Sequence, residues 1–293
     1  MQKSSTHERI IYGIILSLFC AICIVPIIAV LSISLSSDKE IIMNGYSLLP
    51  RGFSLEGYKF VFKDYLRVLR AYGVSIFTTI AGTVLGLILN AMMAYVLSRP
   101  NYGHRSKLTV FLTIPMVLSG GLVPTYMLIT QFLHLKNNLL VLILPIAVVP
   151  WYIIMMRTFF AQIPYELSEA AIIDGAGELR IFWHVILPLA KPALATVGIF
   201  LALAYWNDWY YPMLYIENSN LVNLQYMLYR MMREVQELTR NAALSGMGIS
   251  AADMPTESMR MAMCLVAAGP MLVVFPFFQK YFVKGLTVGG VKG

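Results

Sequence analysis

Few residues in this 293-residue chain stand where they could do covalent chemistry. The four histidines, His7, His104, His134 and His184, are scattered among the terminus and the linking stretches. None belongs to a His-Glu-x-x-His spacing, which would hold zinc beside a general base. No nucleophile–base pair is legible, and no Gly-x-x-x-x-Gly-Lys-[Ser/Thr] loop is present to cradle phosphate. Cys20-x-x-Cys23 has redox spacing, but an apolar run surrounds it, and thiols without a nearby acid or base stay inert. With Cys264, these read as small packing residues. No catalytic residue, metal site or cofactor is expected on this chain, and it does not read as an enzyme.

The polar chemistry that remains sits inside apolar stretches. Gly82, Gly86, Asn90 and Ala94 recur every fourth position and share one helix face. Small residues at that spacing let helices approach closely in lipid. Asn90 asks for more, because a buried amide needs hydrogen-bond partners or a water-filled path. Thr125, Tyr126 and Gln131 in the third apolar run raise the same question. So do Trp206, Asn207, Asp208, Tyr210 and Tyr211 at the end of the fifth. Aromatic and amide groups suit a sugar, stacking on apolar ring faces and bonding hydroxyls, and they equally suit an interfacial aromatic belt. Both readings stand at this point.

The elements that must position these residues follow from where charge is absent. Hydrophobic residues make up 58% of the chain and charged ones 13%, against about 45–50% and about 25% in soluble domains. Charge-free gaps run Arg9–Asp38, Arg70–Arg99, Lys107–Lys136, Lys136–Arg157, Lys191–Asp208 and Arg260–Lys280. A spanning helix needs about 20 mostly apolar residues. The fold expected is all-α, with six transmembrane helices at about 10–35, 71–97, 108–133, 139–160, 185–208 and 261–279. The fifth gap is short, so its span is extended backward through Val185-Ile186-Leu187, with Lys191 snorkelling to the interface. The first run is longer than a signal-peptide core and reads as a retained anchor. The net charge of +7 lacks the basic clusters that nucleic acid would need. Lys and Arg divide evenly, eleven to each side of the bilayer, so charge favours an inward N-terminus only through the short loop Arg99–Lys107 and the tail.

No charge lies near the centre of any span, which argues against an ion relay. Pro115, Pro124, Pro145, Pro150 and Pro270 lie within spans, and Ser119-Gly120-Gly121 before Pro124 reads either as a hinge or as ordinary irregular packing. Two stretches outside the spans carry structure of their own. One is an amphipathic segment, Leu55 to Leu69, suited to the membrane surface; the other is an apolar-dense helix beginning near Leu224, within Tyr210–Arg260.

Residues 161–187 read as a helix–turn–helix outside the bilayer. Pro164 fits a first helical turn, Glu166 and Glu169 suit the positive end of a helix dipole, and Gly175 and Gly177 stop the helix. A second short helix follows, from Glu178 to about Ile186, and closes on Leu187-Pro188. Glu169-Ala170-Ala171, Gly175 four residues after Ala171, and Leu187-Pro188 resemble the EAA loop of ABC importer permeases. Trp206-Asn207-Asp208, Gln279-Lys280-Tyr281-Phe282-Val283-Lys284-Gly285 and the ending Val291-Lys292-Gly293 are similar to carbohydrate permeases of the maltose type. Ser119-Gly120-Gly121-Leu122-Val123-Pro124-Thr125-Tyr126 resembles a branch handling oligosaccharides, including uronate-containing ones such as alginate.

That resemblance implies one permease domain over 1–293 with the type I ABC importer fold, in a bacterial inner membrane with both termini cytoplasmic. It implies that Glu169, Ala170, Ala171, Asp174, Gly175, Leu187 and Pro188 serve coupling to an ATPase subunit. It also implies a second related permease, two ATPase subunits carrying ATP and Mg, and an extracytoplasmic solute-binding protein, with no nucleic acid. Import of another solute through the same coupling loop, or gradient-driven carriage, stands as the alternative.

Overall fold

The computed structural model of the protein describes residues 6–244 and 257–290. The Val291-Lys292-Gly293 ending lies outside the described residues, as do the side chains of Gln279–Gly285. Among the described residues the chain is helical throughout its regular structure, with one isolated bridge, Ser36–Phe53. The helices run α1 (Thr6–Ser34), α2 (Asp38–Asn44), α3 (Glu56–Val61), α4 (Tyr65–Ser98), α5 (Arg105–Val117), α6 (Leu122–Met127), α7 (Leu144–Ala147), α8 (Pro150–Phe160), α9 (Glu166–Ile173), α10 (Glu178–Ile181), α11 (Leu187–Leu189), α12 (Lys191–Trp206), α13 (Tyr210–Tyr215), α14 (Leu224–Leu244) and α15 (Glu257–Gly290). All-α architecture is what the apolar spacing requires, because helices satisfy every backbone group without water.

Among the described residues, three helices are each long and apolar enough to cross a bilayer: Ile11–Ser34, Tyr65–Ser98 and Glu257–Val274. Three more spans are bent pairs, Arg105–Val117 with Leu122–Phe132 at 111°, Leu139–Ala147 with Pro150–Phe160 at 49°, and Glu178–Leu189 with Lys191–Trp206 at 85°. Six spans result when each pair counts once. The bends have local causes. At the first, Gly121 adopts φ +83°, where a side chain would be strained, and Pro124 sits in the first turn of the next helix, where a missing N–H costs nothing. At the second, Val148 and Val149 are extended before Pro150, which disfavours helix at the residue preceding it. At the third, Val185–Leu187 lie in the arm Glu178–Leu189, set at 85° to the helix Lys191–Trp206. The amphipathic stretch at 55–69 is likewise two pieces, α3 and the start of α4, separated by Phe62–Asp64.

The chain divides into two compact units. In the first, Met1–Val68 with Leu228–Met271, a buried carboxylate caps a helix. Asp38 Oδ1 accepts the backbone N–H groups of Glu257 (2.9 Å) and Ser258 (3.2 Å), and Ser258 Oγ donates to Oδ2. These satisfy orphan donors at the start of α15. Gly57 makes the approach feasible, since a Cβ there would lie 2.9 Å from the Ser258 backbone.

The second unit, Leu69–Met227 with Leu272–Gly293, holds the core that positions the candidate site. Ala91, Ala94, Tyr95 and Leu97 of α4 meet Leu112 of α5, Ile153, Met156 and Phe160 of α8, Ile181, Phe182 and Ile186, and Val197, Leu201 and Tyr205 of α12. Close packing matters more here than water exclusion, because lipid tails are as apolar as the side chains. The four-residue repeat on α4 serves that purpose. Gly82 lies against the Tyr205 ring, and Gly86 lies against the Ala147 carbonyl and Leu201.

Candidate functional site

The helix–turn–helix forms where its residues dictate. Glu166 and Glu169 occupy the first turn of α9, complementing the positive end of its dipole. Asp174 ends the helix, and Gly175 turns the chain at φ +78°, a left-handed conformation that glycine adopts without strain. The turn closes with Gly175 N–H on the Ile172 carbonyl and Ala176 N–H on the Ala171 carbonyl, each 2.9 Å. α10 then starts at Glu178 and runs through a wider turn, Phe182–Ile186, into Leu187-Pro188.

The tip of this unit presents mixed chemistry. Ile173 is 85% exposed, Leu179 and Ile172 are exposed beside it, and Glu169, Ala170 and Asp174 share the surface. Ala171 and Leu187 are half-buried, while Pro188 is exposed. Its root is buried instead. Ile181, Phe182 and Ile186 join the core cluster, and the Tyr95 and Phe182 rings lie 5.3 Å apart.

Between root and tip sits a polar anchor absent from the sequence expectations. Arg99, just past the end of α4, donates Nη1 to Ser168 Oγ at 2.8 Å and pairs Nη2 with Glu178 Oε2 at 3.3 Å. Nη2 also donates to the Tyr95 hydroxyl, which in turn donates to Glu178 Oε2. The guanidinium lies 4.3 Å from the Tyr95 ring centroid and 5.7 Å from that of Tyr165, within cation–π range. Asn101 adds a bond from Nδ2 to the Tyr165 hydroxyl at 2.9 Å. Local spacing could not reveal this group, because Arg99 is 69 residues from Ser168 and 79 from Glu178. The available signal was an arginine closing a span before Pro100, and an acid opening a short helix after Gly177.

The residues expected along a substrate path separate into different surroundings. Asn90 is fully buried, and both ends of its amide bond backbone. Nδ2 donates to the carbonyls of Gly86 (2.6 Å) and Ala147 (2.7 Å), and Oδ1 accepts Val149 N–H at 3.0 Å. It therefore holds the break between α7 and α8. Trp206 is buried with its ring 6.4 Å from Tyr72, and Asn207 donates its amide to the Leu203 carbonyl. Gln131 is exposed on the wide turn Leu128–Phe132.

Tyr126 and Asp208 are drawn toward one aromatic row. Asp208 Oδ1 accepts the N–H groups of Tyr210 (3.0 Å) and Tyr211 (3.1 Å), which sets the start of α13. Tyr211 stacks on Tyr215 at 6.2 Å, and Tyr215 stacks on Tyr126 at 5.5 Å. Tyr215 was not among the expected residues, although it lies four beyond Tyr211, one helical turn away. The row is pinned at its outer edge. Asn137 Oδ1 accepts the N–H groups of Glu217 and Asn218, and Lys136 pairs with Glu217 at 2.6 Å. That bond holds the Glu217 carboxyl below its ordinary range and the Lys136 ammonium above it.

Comparison with known proteins agrees with this architecture. Residues 82–288 match the model of the family described as binding-protein-dependent transport system inner membrane component. Protein LplC of Bacillus subtilis (strain 168) is 38% identical over 273 residues, covering 93% of this chain and 90% of that protein. From the same organism, the polygalacturonan/rhamnogalacturonan transport system permease protein YtcP is 35% identical over 291 residues, covering 99% and 100%. A chain from the crystal structure of a bacterial ABC transporter involved in the import of the acidic polysaccharide alginate superposes with a TM-score of 0.78. It is 28% identical and covers 96% of this chain and 100% of its own. Relatives of this kind are permease components and not enzymes in their own right. The matched region runs from the middle of the second span to the sixth and takes in the whole helix–turn–helix, and on that agreement the chain belongs to the binding-protein-dependent transport system inner membrane components, as a permease of the type I ABC importer fold.

Proposed function

We propose that this chain forms half of the membrane path of an ATP-driven importer of oligosaccharides carrying uronate carboxylates. The observation that supports coupling most directly is the exposed tip of α9. A helix–turn–helix rooted in the core yet offering Ile172, Ile173, Glu169 and Asp174 to its surroundings is built to be gripped by another protein. In this reading Glu169, Ala170, Ala171, Asp174 and Gly175 seat in an ATPase subunit, with Leu187 and Pro188 holding the outgoing strand of the loop. ATP and Mg belong to two such subunits, a second related permease completes the path, and an extracytoplasmic binding protein delivers the solute. The loop then faces the cytoplasm, and both termini lie on that side.

The sugar class rests on the relatives, one named for polygalacturonan/rhamnogalacturonan transport and one from a transporter of the acidic polysaccharide alginate. Rings of Tyr126, Tyr211 and Tyr215, with Asp208 setting their order, suit the apolar faces of sugar units. The test is Glu169→Lys in the intact complex. The variant is expected to insert normally and to lose coupled uptake of oligogalacturonate, with ATPase subunits retained poorly on pull-down. Uptake at the wild-type rate would overturn the placement of the joint. Uptake of neutral oligosaccharides in place of acidic ones would overturn the substrate class.

A further inference from the structure

Docking explains how force reaches the tip of α9 but leaves open how it enters the membrane. α9 is eight residues long and α10 four, too short to be rigid by themselves. Something must fix both arms to a longer body.

A single guanidinium does so. Arg99 reaches Ser168 in the first turn of α9 and Glu178 at the start of α10, and its guanidinium lies over the Tyr95 ring of α4. Ser168 is 1% exposed and the Arg99 side chain 14%, so the bond between them is sheltered from competing water, while Glu178 is 65% exposed and its bond is open to water. Charge-assisted bonds in such a setting are stronger than neutral ones, and only arginine presents donors in a rigid planar fork. Tyr95 completes the triangle by bonding both Arg99 and Glu178. With the anchor removed, the Asn101–Tyr165 bond would remain between the residues just beyond α4 and just before α9.

α4 then continues inward as one unbroken helix to Asn90, whose amide holds the break between α7 and α8. We infer that Arg99 is the positioning residue that makes the helix–turn–helix and α4 move as one body, so that displacement of the tip is delivered to the bend at Ala147–Pro150. The inference rests on the proposed docking of α9, and its test separates the two.

The experiment reconstitutes the full complex in membrane vesicles with its binding protein and supplies oligogalacturonate. Uptake and ATP hydrolysis are read together, as molecules imported per ATP. A structural lesion that merely reduces the amount of folded complex lowers both and leaves the ratio unchanged. Arg99→Gln is expected to retain the ATPase subunits and to lower the ratio about tenfold, the scale of losing a sheltered hydrogen bond from a charged group. Arg99→Lys should recover part of that loss, because the charge remains without the fork. Glu178→Gln and Tyr95→Phe remove partner atoms only, and they carry the test if Arg99→Gln fails to insert. Combining Glu178→Gln with Arg99→Gln should add little to the single loss. An unchanged ratio in Arg99→Gln, or losses that multiply in the double variant, would overturn the inference. Glu169→Lys, run in parallel, reports on docking alone: if it leaves the ATPase bound and coupled, the docking reading fails, and the Arg99 ratio still decides the anchor.

Discussion

At the residue scale, the tightest constraint in the second unit is one missing side chain. A Cβ built on Gly82 would lie 2.3 Å from Tyr205 Cζ, and the Tyr205 hydroxyl is itself committed to the Ile143 carbonyl at 2.7 Å. The ring therefore has no direction in which to yield. Gly82→Ala is expected to cost about 1–3 kcal/mol by overpacking, lowering the thermal midpoint of the detergent-solubilised protein. Gly73 lies on the same helix with nothing within 4 Å of its built Cβ, so Gly73→Ala should be neutral or slightly stabilising. Equal midpoints for the two variants would contradict this account. Sequence spacing identified the small-residue face correctly. It could not rank its members, because which glycine meets a ring and which meets open space depends on where α12 lies.

At the element scale, the broken spans matter most, and Asn90 is their keystone. Its amide supplies what Ala147, ending α7, and Val149, extended before α8, cannot obtain from their own helices: a donor for the Ala147 carbonyl and an acceptor for the Val149 N–H. Asn90→Leu keeps the volume and removes the bonds. Each backbone group left unpaired is expected to cost about 1–3 kcal/mol. The variant should therefore show a lower unfolding temperature together with impaired uptake. A variant as stable as wild type would mean that the break is held by packing alone. The sequence marked Asn90 as an amide in need of partners, and so much was legible. Whether those partners were water, solute or backbone was not, since Ala147 and Val149 are 57 and 59 residues away. The bends themselves were more readable. Gly120-Gly121-x-x-Pro124 and Pro150 each disrupt helix locally, whereas the 85° turn near Ala190 carries only Pro188 and Pro192, and a continuous span was the natural expectation.

At the scale of the whole molecule, composition and charge placement account for an all-α membrane protein with six apolar stretches, but the charges divide too evenly to orient it. The proposed orientation predicts that cysteines at two exposed positions label from opposite sides. Met43→Cys, between the first two spans, should react with an impermeant thiol reagent from outside. His104→Cys, between the second and third, should react only in inverted vesicles. Both positions are exposed, so a failure of access would not mimic the result, and the native Cys20, Cys23 and Cys264 are replaced first because they too are exposed. The reverse pattern would place α9 outside and remove the ATPase from the account.

Helix content, the number of apolar runs and the glycine-stopped turn at 175 were determined by the sequence alone, because each depends on residues within one or two turns of each other. Tertiary structure decided which polar residues are spent on the fold and which are presented outward. Asn90, Trp206 and the Asp208 side chain are engaged in packing or backbone bonds, and Arg99, plain in the sequence as one charge at the end of a span, binds both arms of the loop. Hydrogen-bond partners 57 to 79 residues apart leave no periodicity behind, and only the folded chain brings them within 3 Å or so of one another.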